Sequence, residues 1–177
     1  MQKIVSSSVM RESDAYTCEN VTDSKTLMLR AGEGIVESFP FDGRIAVVCG
    51  SGNNAGDGYV AAKLLSQKGL DVTIFLIGDK FSPDGKYYFD MCAEAGVKTE
   101  AFSPETDLSS FNIILDCLLG TGFKGEARGN IALAIDKINE SGARVISADI
   151  NSGLCADSGI SKKCVISDLT VSIGTYK

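Results

Sequence analysis

Asn53, Asn54 and Asp57 sit inside a run of glycines, Gly50-Ser51-Gly52-Asn53-Asn54-Ala55-Gly56-Asp57-Gly58. Glycines let a backbone turn sharply and approach a ligand, and the free amides at the start of a following helix attract phosphate. The spacing of Gly50, Gly52 and Ala55 fits the dinucleotide-binding fingerprint in its Gly/Ala form. A phosphate cradle has no use for Asp57, whose charge repels the ligand. The loop also carries more polar side chains than a turn requires, so it reads as built to hold something besides phosphate. Asp116 and Asp149 end two apolar runs, a costly place for a carboxylate without a partner. Each either caps a helix or bonds loop amides, or serves a metal or substrate. With Asn54 and Ser152 near them the expected ligands are all oxygen, which suits a hard cation and disfavours zinc or copper. Lys124 lies in a second glycine-rich loop, Gly120-Thr121-Gly122-Phe123-Lys124-Gly125-Glu126. It is either a solvated surface lysine or a grip on phosphate.

The composition removes several classes of chemistry. The chain has no histidine, which excludes Ser-His-Asp and Cys-His machinery and the common zinc enzymes. Proton transfer then falls to Asp, Glu, Lys, Tyr, Cys or water. The six cysteines lie far apart with no C-x-x-C pair, and Cys49, Cys92 and Cys117 fall in apolar stretches as small core residues. A net charge of −6 and the lack of a basic stripe argue against a nucleic-acid surface. The first residues hold no long apolar segment, and no run is long enough to span a bilayer. The expectation is one domain, 1–177, in the cytoplasm and off the membrane.

The elements that position these residues alternate strand and helix. Ile45–Cys49 reads as a buried strand, and Val60, Ala61, Leu64 and Leu65 form one face of the helix behind the glycine-rich loop. Two helices, Ser8–Asn20 and Lys25–Glu37, precede it, the second capped by Asp23 or Ser24. Val72–Ile77 is a second strand. Ser82-Pro83 opens a helix with Tyr88, Met91, Cys92 and Ala95 buried and Gly96 at its end. Val97–Phe102 reads as a short strand, Ile113–Asp116 as a strand ending in its carboxylate, and Cys117–Gly129 as a loop. Asn130 caps a helix with Ile131, Ala134, Ile135 and Ile138 inward. Arg144–Ile150 and Leu169–Ile173 are the last strands. The pattern predicts a three-layer, Rossmann-like α/β fold with a mostly parallel sheet covered on both faces. Ligands in such folds bind beyond the carboxyl ends of the strands, so Gly50–Gly58, Asp116–Gly129 and Asp149–Gly153 should meet at one site.

Three blocks resemble the YjeF N-terminal domain family: Gly50–Ala62 (GSGNNAGDGYVAA), Leu115–Gly125 (LDCLLGTGFKG) and Ala148–Leu154 (ADINSGL). Leu27–Gly32 (LMLRAG) is similar to the family's early helix. Enzymatic members of the family are NAD(P)H-hydrate epimerases. The resemblance implies that Asn53, Asn54, Ala55, Gly56 and Asp57, with Gly120, Thr121, Gly122, Phe123, Lys124, Gly125 and Glu126, contact hydrated NADH or NADPH (NADHX or NADPHX). It implies a K+ ion (potassium) held by Asn54, Asp116 and Ser152, with Asp149 touching substrate and doing the acid–base work. It further implies a homodimer and an ADP- or ATP-dependent dehydratase as partner, often fused; family members usually continue past the strand matching Leu169–Ile173 into a further segment, which this sequence is expected to lack. Ala55 stands where the family usually has glycine, and Asn151 where it usually has proline. Other relatives are non-catalytic scaffolds, which tend to lose the loop polar residues that this chain keeps. An ordinary dehydrogenase would want an acidic residue after the second strand, where only Asp79 is near.

Overall fold

The computed structural model describes residues 4–174, so the domain limits at 1 and 177 lie outside it. Six strands, β1 (Arg44–Cys49), β2 (Asp71–Leu76), β3 (Lys98–Ala101), β4 (Ile113–Cys117), β5 (Arg144–Ala148) and β6 (Leu169–Val171), are combined with five helices, and no helix separates β3 from β4 or β5 from β6 among the described residues. The helices are α1 (Ser7–Asn20), α2 (Ser24–Glu37), α3 (Asn53–Gln67), α4 (Pro83–Glu94) and α5 (Gly129–Glu140). The strands lie in the order β3-β2-β1-β4-β5-β6, and every neighbouring pair is parallel. The order reverses between β1 and β4, which opens the crevice where such sheets bind ligands. No helix among the described residues is long and apolar enough to cross a membrane.

Alternation along the strands divides the core into two layers. Ile45, Val47, Cys49, Ile113 and Leu115 face α2, α3 and α4. Ala46, Val48 and Ile114 face Ala134, Ile135 and Ile138 of α5. Those three α5 residues belong to the face expected from helical spacing. Local signals set several ends. Asp23 caps α2 by accepting from the Thr26 amide, and Ser82 caps α4 by accepting from Gly85, with Pro83 at the first helical position. Gly96 follows α4 with φ 73°, as a helix-ending glycine should.

Several boundaries differ from the sequence reading, most by one or two residues at strand ends, and four of them concern the site loops and α5. Asn53–Asp57 are not loop but the first turn and more of α3, whose N-cap is Gly52 without a side-chain bond. Asn130 lies within α5, and the cap is Arg128, again without a side-chain bond. Asp116 lies inside β4, with Cys117 after it. Asp149 and Ile150 lie beyond β5, which ends at Ala148 because Asp149 turns the chain at φ 67°.

Candidate functional site

At the switch point the backbone of β1 must leave the sheet beside that of β4. The Gly50 amide donates to the Cys117 carbonyl at 3.1 Å, and a Cβ on Gly50 would run into the Leu118 carbonyl oxygen. Only glycine fits there. The chain then enters α3, and Asn54 is carried into the interior at 7% exposure. Its Nδ2 donates to the Leu119 carbonyl at 2.9 Å. That bond fixes the amide orientation and leaves Asn54 Oδ1 buried without a hydrogen-bond partner. An orphaned buried oxygen is rare in a folded protein and asks for a reason.

Asp116, linked to Asn54 through Leu119 and Ser152, is fully buried. Parallel register places it beside Ser147, whose hydroxyl donates to Asp116 Oδ2 at 2.8 Å. The Ser152 amide donates to the same oxygen at 3.0 Å. The other oxygen, Oδ1, accepts from the Ser152 hydroxyl at 2.5 Å and the Leu118 amide at 3.2 Å. Burial pushes the Asp116 carboxyl above its ordinary value, and the bonds from Ser152, Ser147 and Leu118 pull back against it. Ser152 Oγ also accepts from the Leu119 amide at 2.9 Å. Asn54, Leu119, Ser152 and Asp116 therefore form one connected cluster of oxygens. Among the described residues no three His, Cys, Asp or Glu side chains gather into a metal cluster. One carboxylate with neutral oxygens, one of them orphaned, fits a hard cation of low charge and not a transition metal.

Asp149 stands apart from this cluster on the same loop. The Ile150 amide donates to the Ala148 carbonyl at 2.8 Å, closing a three-residue γ-turn around Asp149. With a positive central φ this is the rarer and more strained form. Asp149 is the one non-glycine residue at positive φ among those described. Its Oδ2 accepts from the Thr121 amide at 3.2 Å, so the second glycine-rich loop closes over it. Beyond Asp149 lies a groove of about 370 Å³ lined by Ile150, Leu154, Cys155 and Ala156 among others. A larger depression of about 430 Å³, lined by Phe39, Asn112 and Arg144, lies at the amino ends of the strands and away from these polar groups.

The three segments expected to meet are thus hydrogen-bonded to one another through Asn54, Leu119, Thr121, Asp149 and Ser152. Ala55, Gly56 and Asp57 are buried in α3, while Asn53 is exposed at its start. Gly120 abuts Asn54 and Asp149. The far half of its loop turns outward: Lys124 is exposed and pairs with Asp157 at 3.5 Å. Glu126 pairs with Lys162 and Arg128, and Phe123 packs on the α5-side core. Gly122 and Gly125 are exposed in the same stretch. Sequence reasoning missed Ser147, Asn151 and Asp157. A serine in the apolar run VISA was the signal for Ser147; Asn151 stood out only as a replacement for the family's usual proline, and nothing local marked Asp157.

Fold and site together define a Rossmann-like α/β domain with a histidine-free, oxygen-rich cluster at the switch point of its sheet. Residues 24–177 match the family described as YjeF-related protein N-terminus. The chain is 36% identical to the bifunctional NAD(P)H-hydrate repair enzyme Nnr of Archaeoglobus fulgidus, over 90% of this chain and 34% of that protein. It is 36% identical to the NAD(P)H-hydrate epimerase of Oenococcus oeni, over 88% of this chain and 77% of that one. The crystal structure of yeast YNL200c superimposes with a TM-score of 0.86 at 21% identity, covering 99% of this chain and 82% of that one. The chain belongs to the YjeF-related N-terminal family. It spans about a third of the length of its bifunctional relatives.

Proposed function

We propose that this domain is an NAD(P)H-hydrate epimerase, interconverting the R and S forms of NADHX and NADPHX at nicotinamide C6. The reading rests above all on Asp149: a carboxylate held at the switch point by a strained turn and the Thr121 amide, separate from the buried cluster around Asp116. Relatives that share the chain's length most fully bear the epimerase name.

C6 of the hydrate carries a hydroxyl and the ring nitrogen. The nitrogen lone pair forms a C=N bond as the C–O bond breaks, and the Asp149 carboxyl gives its proton to the departing hydroxyl, which leaves as water. The resulting planar iminium takes water on either face. Asp149, now a carboxylate, removes the proton of the incoming water as the new C–O bond forms. No net redox change occurs, and no histidine is needed. Asn53–Asp57 and Gly120–Glu126 bind and orient the dinucleotide.

Asn54 Oδ1, Asp116 and Ser152 Oγ would hold potassium. Its charge, when bound, offsets the buried Asp116 carboxylate and ties the three segments together. The partner in this reading is a dehydratase acting on one epimer, as an ADP- or ATP-dependent domain or separate protein, in the cytoplasm; the domain itself pairs as a homodimer.

Two measurements test the assignment. Asp149→Asn should bind substrate with little change in KM and lose about a hundredfold in kcat; near-normal turnover overturns the acid–base role. Potassium should raise the melting temperature of the wild type but not of Ser152→Ala, and an equal shift in both would remove Ser152 from the ion site.

A further inference from the structure

We infer that Asn151 is a positioning residue, the hub of a closed hydrogen-bond ring that fixes Asp149 on one side and Ser152 on the other. Asn151 Nδ2 donates to the Val165 carbonyl at 3.0 Å and to Ser167 Oγ at 2.9 Å. A carbonyl only accepts, so this contact alone fixes which end of the Asn151 amide is nitrogen. The Thr170 hydroxyl donates to Asn151 Oδ1 at 2.7 Å. Its one proton is then spent, so at the 3.1 Å Ser167–Thr170 contact the proton belongs to Ser167. The ring therefore runs in a single direction, Asn151 to Ser167 to Thr170 and back to Asn151, the arrangement in which each bond polarises the next.

The ring lies where the loop most needs it. Asp149 is held in a strained φ, and strain persists only where the surroundings over-determine it. Backbone bonds hold the two ends: Asp149 N donates to the Val171 carbonyl at 2.8 Å, and Val165 N to the Ser152 carbonyl at 2.9 Å. Asn151 lies between these anchors, and its side chain adds a second bond to Val165 and ties the loop to Ser167 and Thr170. Behind it, a Cβ on Gly153 (φ 95°) would meet the Lys163 carbonyl, so the 163–171 segment is pressed against the loop along its length. A shift of the middle residue moves the Asp149 carboxylate and the Ser152 hydroxyl together.

Thr170 is the cleaner probe, because it is exposed on the last strand and valine has its shape without its proton. The inference rests on the epimerase reading for its kinetic arm only. Hydrogen exchange followed by mass spectrometry is read on the protein without substrate, and turnover on wild type, Thr170→Val and Thr170→Ser. Thr170→Val should speed exchange across 149–153 with β1 and β4 unchanged. It should also lower kcat about tenfold, the cost of about one hydrogen bond, with KM within about twofold. Thr170→Ser, which keeps the hydroxyl, should restore both. Unchanged exchange in Thr170→Val overturns the clamp, as does equal loss in the serine variant. A wild type without epimerase activity would overturn the function while the exchange result still decides the clamp.

Discussion

Replacing Asp116 by asparagine removes a buried charge at constant shape, and burial alone would make that favourable. The hydrogen bonds predict the opposite. Each carboxylate oxygen accepts from one backbone amide, Oδ1 from Leu118 and Oδ2 from Ser152. Serine hydroxyls can rotate and become acceptors, but backbone N–H groups cannot. Whichever way an asparagine amide is turned, its NH2 group faces one of these two donors. One buried backbone N–H loses its acceptor and one amide proton finds none, each costing about 1–3 kcal/mol. Relief of the buried charge, whose carboxyl is already pushed up by burial, returns part of this. The net expectation is a loss of about 3 kcal/mol, or a fall in Tm of about 6–12 °C for a domain of this size. Ser147→Ala removes only one hydroxyl donor and leaves Oδ2 on the Ser152 amide, so it should cost about 1 kcal/mol. Urea titration and thermal melts followed by far-ultraviolet circular dichroism read both. An Asp116→Asn protein that melts within about 2 °C of wild type would refute the reasoning, because it would mean the two amides do not fix the carboxylate.

Three further perturbations follow from the same geometry. Asp149→Gly and Asp149→Ala both lose the Thr121 bond and activity, but the glycine variant should be about 1–2 kcal/mol the more stable, because glycine accepts φ 67° freely. A urea series on the two separates strain from chemistry, and equal stability of the pair would argue against strain. Gly50→Ala drives a methyl group into the Leu118 carbonyl and should destabilise by about 3 kcal/mol, visible as a lower urea midpoint. The third concerns acid. Amide and hydroxyl of Ser7 both bond Asp157, with Lys124 nearby, and hold its carboxyl below the usual range. A depressed folded-state value stabilises above the unfolded value of about 3.9 and is lost as pH falls through the lower folded one. The Ser7 amide should therefore lose protection, corrected for intrinsic exchange at each pH, as pH falls below about 3.9, and in Asp157→Asn that protection should already be low at higher pH and change little.

Much of the fold was legible because apolar runs and helical spacing are strong signals. Ile45–Cys49, the α5 face and the caps at Asp23 and Ser82 all stand where the residue types put them. The misplaced boundaries share a cause: no side chain announces them. The first turn of α3 is made of Asn, Asn, Ala, Gly and Asp, which read as loop, and its cap is a glycine that offers no hydrogen bond. At α5 the asparagine that could cap does not, and Arg128 takes the place without a side-chain bond. At the site, Asp116 and Asp149 stood out as carboxylates closing apolar runs and Asn54 as surplus polarity in a glycine-rich loop, while Ser152 entered only as an oxygen near them, and as an ion ligand through the family resemblance. Ser147 becomes a partner of Asp116 only through the β4–β5 register, and Asn151 through contacts 14 to 19 residues away. Such pairings exist only in three dimensions. Lys124 drew notice for its glycine-rich setting and Glu126 through the family resemblance; their surface ion pairs with Asp157 and Lys162 come from residues more than thirty positions away and could not be read locally.

Epimerisation by this domain can be measured on a single epimer of its proposed substrate. Purified S or R NADHX is incubated with the protein in potassium buffer, and the two epimers are separated by chromatography against an enzyme-free control. The expected result is faster approach to the two-epimer mixture from either side, slowed when choline replaces potassium and slowed about a hundredfold in Asp149→Asn. Interconversion at the enzyme-free rate, by a protein that melts cooperatively and binds NADHX, would contradict it.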